Sequence, residues 1–335
     1  MRYELLKVFG NIKIMAVILG MFILSGIMAM KIDTIMFEGF STDVYKYYMD
    51  YLEGEYTQEK HNYVFEEYSR MKEHISNSSL YDEQYKDKLI SATEYRELSS
   101  AASLAKGRIK TFEYIVEKTE YYAGCENTPS YFYDIDVEDY IVNMSVNIPL
   151  LLSLILVIAV LFNEDYSANT VYMIRSSKDG KDRLLCRRLR LVMIIAIVLG
   201  VVFYVGEFLI KYFYLDLGDM NSHISSLRSM ENAKFSGSIW GYLLTSIGIR
   251  MMYTVLVALL ISVIAILTHK YMMTIGVALG VVYLPSVITD SEWTLTAGLK
   301  AYPLINTSLA FIIVMVYILI FMGIIGILIK REKNH

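Results

Sequence analysis

Two ionisable residues, Glu207 and Arg250, fall within or at the edge of long apolar runs in this 335-residue chain. An isolated charge in a hydrocarbon layer costs about 2.5 to 3.5 kcal/mol or more, so such residues mark a functional site unless a partner or an interface accounts for them. Glu207 has a candidate partner in Lys211, at the i,i+4 spacing of a helical ion pair near the end of its run. Arg250 has two readings. If its helix begins at the interfacial aromatic Trp240, Arg250 lies deep in the span; if the span starts at Met251, the side chain snorkels to the surface. Gly276 and Gly280, in a further apolar run, have the G-x-x-x-G spacing of helices that pack closely.

Other chemistry is poorly represented. His61, His74, His223, His269 and His335 are scattered, and no acid–base pair, nucleophile arrangement or metal-ligand cluster has usable spacing. The nearest approach to a phosphate-binding loop, Asp179-Gly180-Lys181-Asp182, lacks the leading glycine and the hydroxyl residue that cradle phosphate and magnesium. The chain by itself is therefore not expected to be an enzyme, and no cofactor or metal is expected in it.

The elements that must position these residues are helices. The composition is 55% hydrophobic with four prolines, and the mean hydropathy is +0.40. The apolar residues gather into runs near the roughly 17 to 25 residues that cross a bilayer: Ile14–Met30, Met144–Phe162, Leu189–Ile210, Ile239–Thr268, Tyr271–Ile288 and Ser308–Ile329. The expected fold is all-α, a polytopic membrane protein with six transmembrane helices and a helical extracellular domain. Residues 1–30 hold the N-terminal segment and first span, 31–142 the extracellular domain, and 143–335 spans two to six. The short connections rich in Lys and Arg put both termini in the cytoplasm of a cell whose plasma membrane holds the chain. Cys125 and Cys186 then lie on opposite sides of the membrane and cannot pair.

The 31–142 segment carries about 23 acidic against 12 basic residues and about 16 of the 28 tyrosines. Such acidity argues against a nucleic-acid partner. Its apolar residues recur at helical intervals: Val44, Tyr47, Tyr48, Tyr51 and Leu52, then Tyr63, Val64, Tyr68, Met71 and Ile75. Ser91-Ala92-Thr93-Glu94 has capping-box spacing ahead of a helix that runs to Tyr122 and stops at Gly124. A small helical bundle with a tyrosine core is expected.

Between the second and third runs lies a basic connection, residues 163–188, that contains Glu164, Thr170, Ile174, Arg175, Gly180, Lys181, Arg183 and Arg188. Phe162, Glu164 and Thr170 are spaced as in the signature F-x-E-x-x-x-x-G-T, and Ser176, Gly180, Lys181 and Arg188-Leu189 follow where its later small, basic and K-L positions fall. In these residues the chain resembles the membrane subunits of type-2 ATP-binding-cassette exporters. It departs from their pattern in Asn169 for glycine, Arg188 for lysine and the lack of a proline in the turn. The resemblance covers the spans and this loop but not the extracellular domain. It implies that 163–188 is a coupling helix docked on a separate ATP-binding subunit, which holds ATP and Mg. It also implies a second permease, identical or homologous, as partner in the membrane lipid. The function expected is ATP-driven export of an amphipathic or antimicrobial peptide or a lipid. The alternative is a membrane-anchored receptor or scaffold whose extracellular domain binds a ligand or partner.

Overall fold

The computed structural model describes residues 2–30, 37–167, 180–231, 235–288, 299, 316, 319–321, 323–324 and 326–327. Among the described residues are eleven α-helices: α1 (Arg2–Phe9), α2 (Ile12–Ala29), α3 (Thr42–Leu52), α4 (Gln58–Ser76), α5 (Ser78–Lys86), α6 (Ala92–Ala123), α7 (Ile135–Val142), α8 (Ile148–Ser167), α9 (Gly180–Tyr214), α10 (Ile239–Thr268) and α11 (Tyr271–Ile288). Two short strands, β1 (Gly54–Glu55) and β2 (Ser130–Tyr131), pair antiparallel. The chain divides into two compact units, one of Met1–Ile32, Tyr140–Leu215 and Leu243–His335, the other of Asp33–Asp139 and Asp216–Tyr242.

In the first unit, three helices among the described residues are long and apolar enough to cross a membrane: Ile12–Ala29, Leu184–Tyr214 within α9, and Ile239–Thr268. Ile148–Glu164 and Tyr271–Val282 are apolar over shorter stretches. The last expected span, Ser308–Ile329, lies almost wholly outside the described residues. On α9 the outward residues Ile194, Ile197, Val198, Val201, Val202 and Val205 are as apolar as the buried Leu191, Val192, Ile195 and Leu199. A helix apolar all round has no aqueous face, which suits a hydrocarbon surround. The expected run from Met144 begins as a helix only at Ile148, because Asn147 caps it: its Oδ1 accepts from the Leu150 amide at 3.0 Å. Helix α8 packs on α1, α2, α9 and α11.

In the second unit, α6 is the central element, with α3, α4 and α5 laid against it. Its start is the expected capping box, in which the Glu94 amide donates to Ser91 Oγ and the Ser91 amide to Glu94 Oε2. It ends at Gly124. Tyr45, Tyr48, Tyr122 and Tyr131 are buried with Met49, Phe112 and Ile115, so tyrosines do form the core. The register of α3 differs from the sequence expectation: it buries Tyr45, Tyr48, Met49 and Leu52 and leaves Tyr47 and Tyr51 outward. Tyrosine suits either face of an amphipathic helix, so its spacing alone left the stripe one residue off.

At the centre of this core the Lys118 ammonium meets Asp134 at 2.7 Å and donates to Tyr45 Oη at 2.9 Å, while Tyr45 donates to Asp134 at 2.6 Å. Each charge is thus hydrogen-bonded as well as paired, the condition under which a buried pair is tolerated. The segment from Asp216 straps the same unit. Ser226 Oγ accepts from the Ser130 amide, Tyr122 Oη donates to the Ser226 carbonyl, and Glu138 accepts from both Ser229 groups. Gly218 opens the strap at φ +56, where a Cβ would stand 2.7 Å from the Tyr133 carbonyl oxygen.

Candidate functional site: a buried polar cluster among apolar helices

The first unit's polar centre is built from four segments and the Leu299 carbonyl. Helix α9 supplies Tyr204 and Glu207, three residues apart and so on one face. Helix α10 supplies Arg250 and Thr254, the stretch before α8 supplies Ser145 and Asn147, and α2 supplies Ser25. The Arg250 guanidinium faces both Glu207 oxygens, at 3.4 Å from Nη1 and 3.2 Å from Nη2. Its Nη2 also donates to the Ser145 carbonyl at 3.2 Å and its Nε to the Leu299 carbonyl at 3.1 Å. The Tyr204 ring lies beneath, 4.2 Å from the guanidinium carbon, and its hydroxyl meets Thr254 Oγ1 at 2.9 Å. Asn147 Nδ2 bridges Glu207 at 3.2 Å and Ser25 at 2.7 Å.

Arg250 is 1% exposed. Its planar fork matches a carboxylate bidentately, and the carbonyls and the aromatic face take up the remaining donors and charge. This corrects the expected Glu207–Lys211 pair: the partner of Glu207 is Arg250, on another helix. Lys211 instead holds its ammonium 5.5 Å from the Tyr140 ring centre. Arg250 lies inside a continuous helix that runs from Ile239 to Thr268.

The cluster has no proton-transfer pair poised on an open cavity and no nucleophile. Chemically it can hold helices α2, α9 and α10 in register around one charge pair, and exchange that pairing if the helices move. Among the described residues no three metal-ligating side chains converge.

The residues of the 163–188 connection are met only in part. Glu164 is exposed in the last turn of α8. Thr170, Ile174 and Arg175 lie outside the described residues, whereas Gly180, Lys181 and Arg183 form the first turn of α9. Arg188 is buried one turn later and pairs with Glu4 of α1 at 3.3 Å. Asn163, also buried, donates from Nδ2 to Thr274 Oγ1 at 2.6 Å, and Thr274 meets Thr268 at 2.6 Å. The start of the connection is thereby tied to the turn between α10 and α11. Gly276 is exposed, with open space beside it among the described residues.

The sequence reading did not single out Asn147, Asn163, Glu4 or Tyr204. For the asparagines the available signal was an amide at each end of an apolar run, since a polar side chain there must find a partner. No protein-family model matches the chain, and no curated protein or solved structure matches it.

Proposed function

We propose that the chain is the membrane permease subunit of an ATP-driven exporter of the type-2 ATP-binding-cassette class, energised by a separate ATP-binding subunit. In this reading six spans cross the plasma membrane, both termini are cytoplasmic, the second unit is extracellular, and two permeases frame the path. The cargo is an amphipathic peptide or a lipid, in keeping with an apolar route.

The observation that carries the reading is the signature around Phe162, Glu164 and Thr170, together with the elements that flank it. Helix α8 is apolar up to Phe162 and turns polar at Asn163-Glu164, and α9 opens with Lys181, Arg183, Arg187 and Arg188 before becoming a long apolar helix. A basic connection between two such helices suits docking on a cytoplasmic subunit. Topology alone accounts for the positive charge but not for the Glu164-to-Thr170 spacing.

The test is affinity purification of the tagged chain from its native membrane, with mass spectrometry of what accompanies it. Recovery of a nucleotide-binding subunit with the wild type, and its loss with Glu164→Lys and Arg183→Glu while both variants remain folded, is the expected result. Failure to recover any ATP-binding subunit under conditions that preserve membrane complexes removes the motor and the proposal with it.

A further inference from the structure

The second unit carries a groove of about 500 Å³ that the buried cluster and the coupling connection leave unused. Its walls are Phe37 and Glu38 on one side, Glu113, Tyr114 and Glu117 of α6 on the other, and Arg228 of the strap. The volume falls in the range of about 300 to 1,000 Å³ typical of small-ligand sites. Phe37 lines the groove and is 47% exposed, with its ring 5.3 Å from that of Phe40 and 6.3 Å from that of Tyr114.

The groove already holds a guanidinium. Arg228 reaches from the strap to lie 5.7 Å from the Tyr114 ring centre and 2.6 Å from a Glu117 oxygen. Aromatic face and carboxylate thus form a working receptor for a planar cation. The groove's other base, Lys110, has its Nζ engaged by the Glu38 backbone carbonyl at 3.0 Å. Glu113 accepts from the Tyr68 hydroxyl at 3.1 Å. Among the described residues neither the Glu38 nor the Glu113 carboxylate is held in an ion pair, while Glu117 is. One cation-binding position is filled from within, and two carboxylates beside a partly exposed phenylalanine ring remain.

From this we infer that the groove is a receptor site for arginine or lysine side chains of a cationic peptide. The incoming cation is held by Glu38 and Glu113 against Phe37, with Arg228 as the resident competitor at Tyr114 and Glu117. The inference extends the exporter reading by giving its extracellular unit a ligand class, but its test needs no ATP-binding subunit, so either can fail alone.

The experiment is fluorescence anisotropy of a labelled arginine tripeptide amide with the purified full chain in detergent, against an equally labelled glutamate tripeptide. Expected is binding of the arginine peptide that weakens as salt rises. Glu113→Gln and Phe37→Ala are each expected to weaken it about fivefold, as for the loss of one partly exposed ionic or cation–π contact. Arg228→Ala is expected to strengthen it by opening the Tyr114 position. All three residues are at least partly exposed, and an unchanged melting temperature verifies that each variant is folded. Absence of binding at low salt, equal binding of the glutamate peptide, or affinity indifferent to all three substitutions overturns the site.

Discussion

At the scale of single residues, the buried ion pairs of Lys118 with Asp134, Arg250 with Glu207 and Arg188 with Glu4 answer differently to substitution from any surface pair. Removing one partner leaves an uncompensated charge in an apolar surround, at a cost of about 3 to 5 kcal/mol. Arg250→Met is therefore expected to lower the melting temperature of the detergent-solubilised protein sharply, and Arg250→Met with Glu207→Leu to recover most of the loss. The exposed pair Arg228 and Glu117 serves as the contrast, since pairs of that kind contribute about 0 to 1 kcal/mol. An Arg250→Met protein that melts with the wild type would remove the structural role assigned to the pair. Glu138 adds a dependence on pH. Its carboxyl is pushed up to about 7, first by burial and then by Asp134, against the opposing pull of Lys118 and the two Ser229 hydrogen bonds. The folded protein therefore holds this proton more tightly than the unfolded chain does. The stabilisation is complete below the ordinary carboxylate value of 4.5 and is lost as pH rises through about 7. The melting temperature should fall between pH 5.5 and pH 8 through this group, and Glu138→Gln should flatten that part of the profile; an identical profile in the variant contradicts the assignment.

At the scale of elements, α9 approaches its neighbours closely at two glycines. A Cβ on Gly206 would stand 2.7 Å from the Phe22 ring of α2, and one on Gly200 2.6 Å from Met251 Sδ of α10. The methionine end can swing aside, whereas Phe22 is set edge-on against Phe203 at 5.5 Å. Gly206→Val is thus expected to cost about 1 to 3 kcal/mol by overpacking, and Gly276→Val, beside open space among the described residues, close to nothing. Thermal unfolding of the two variants side by side checks this, and equal losses would mean that α2 does not pack on α9 through Gly206. The contrast bears on what a sequence can tell. G-x-x-x-G spacing at Gly276 and Gly280 says that a helix is able to approach another closely, but not that a partner faces it. Periodicity and capping were sufficient for α4 and α6, because those signals are local. The Glu207 pairing was not legible, since the i,i+4 neighbour Lys211 is visible in the sequence and the true partner is 43 residues away, on a helix whose rotation only packing decides.

At the scale of the whole molecule, the long acidic insertion between the first two apolar runs was plain in the sequence, while the short stretch 216–242 gave no sign that it belongs with it. Its ties are long-range contacts made one residue at a time, such as Ser226 with Ser130 and Tyr122, Arg228 with Glu117 and Asp216 with Lys46, which show no local periodicity in the sequence. Their union in one compact unit has a topological consequence. Both segments must lie on the same side of a membrane, so the chain between Asp139 and Asp216 must cross it an even number of times. That stretch contains two apolar helices, α8 and α9; in the proposed topology they cross as a pair, and the basic connection between them lies on the far side from the tyrosine-rich unit. The native thiol Cys186, exposed near the start of α9, reports on that connection. Leu89, 73% exposed, offers a site on the other side, as Leu89→Cys with Cys125→Ser. In intact cells a membrane-impermeant maleimide is expected to label the engineered Cys at 89 and to spare Cys186 until the membrane is opened. Labelling of Cys186 from outside, or of both sites alike, would mean that α8 and α9 do not cross as a pair, and the cytoplasmic docking of residues 163–188 would fall with that crossing.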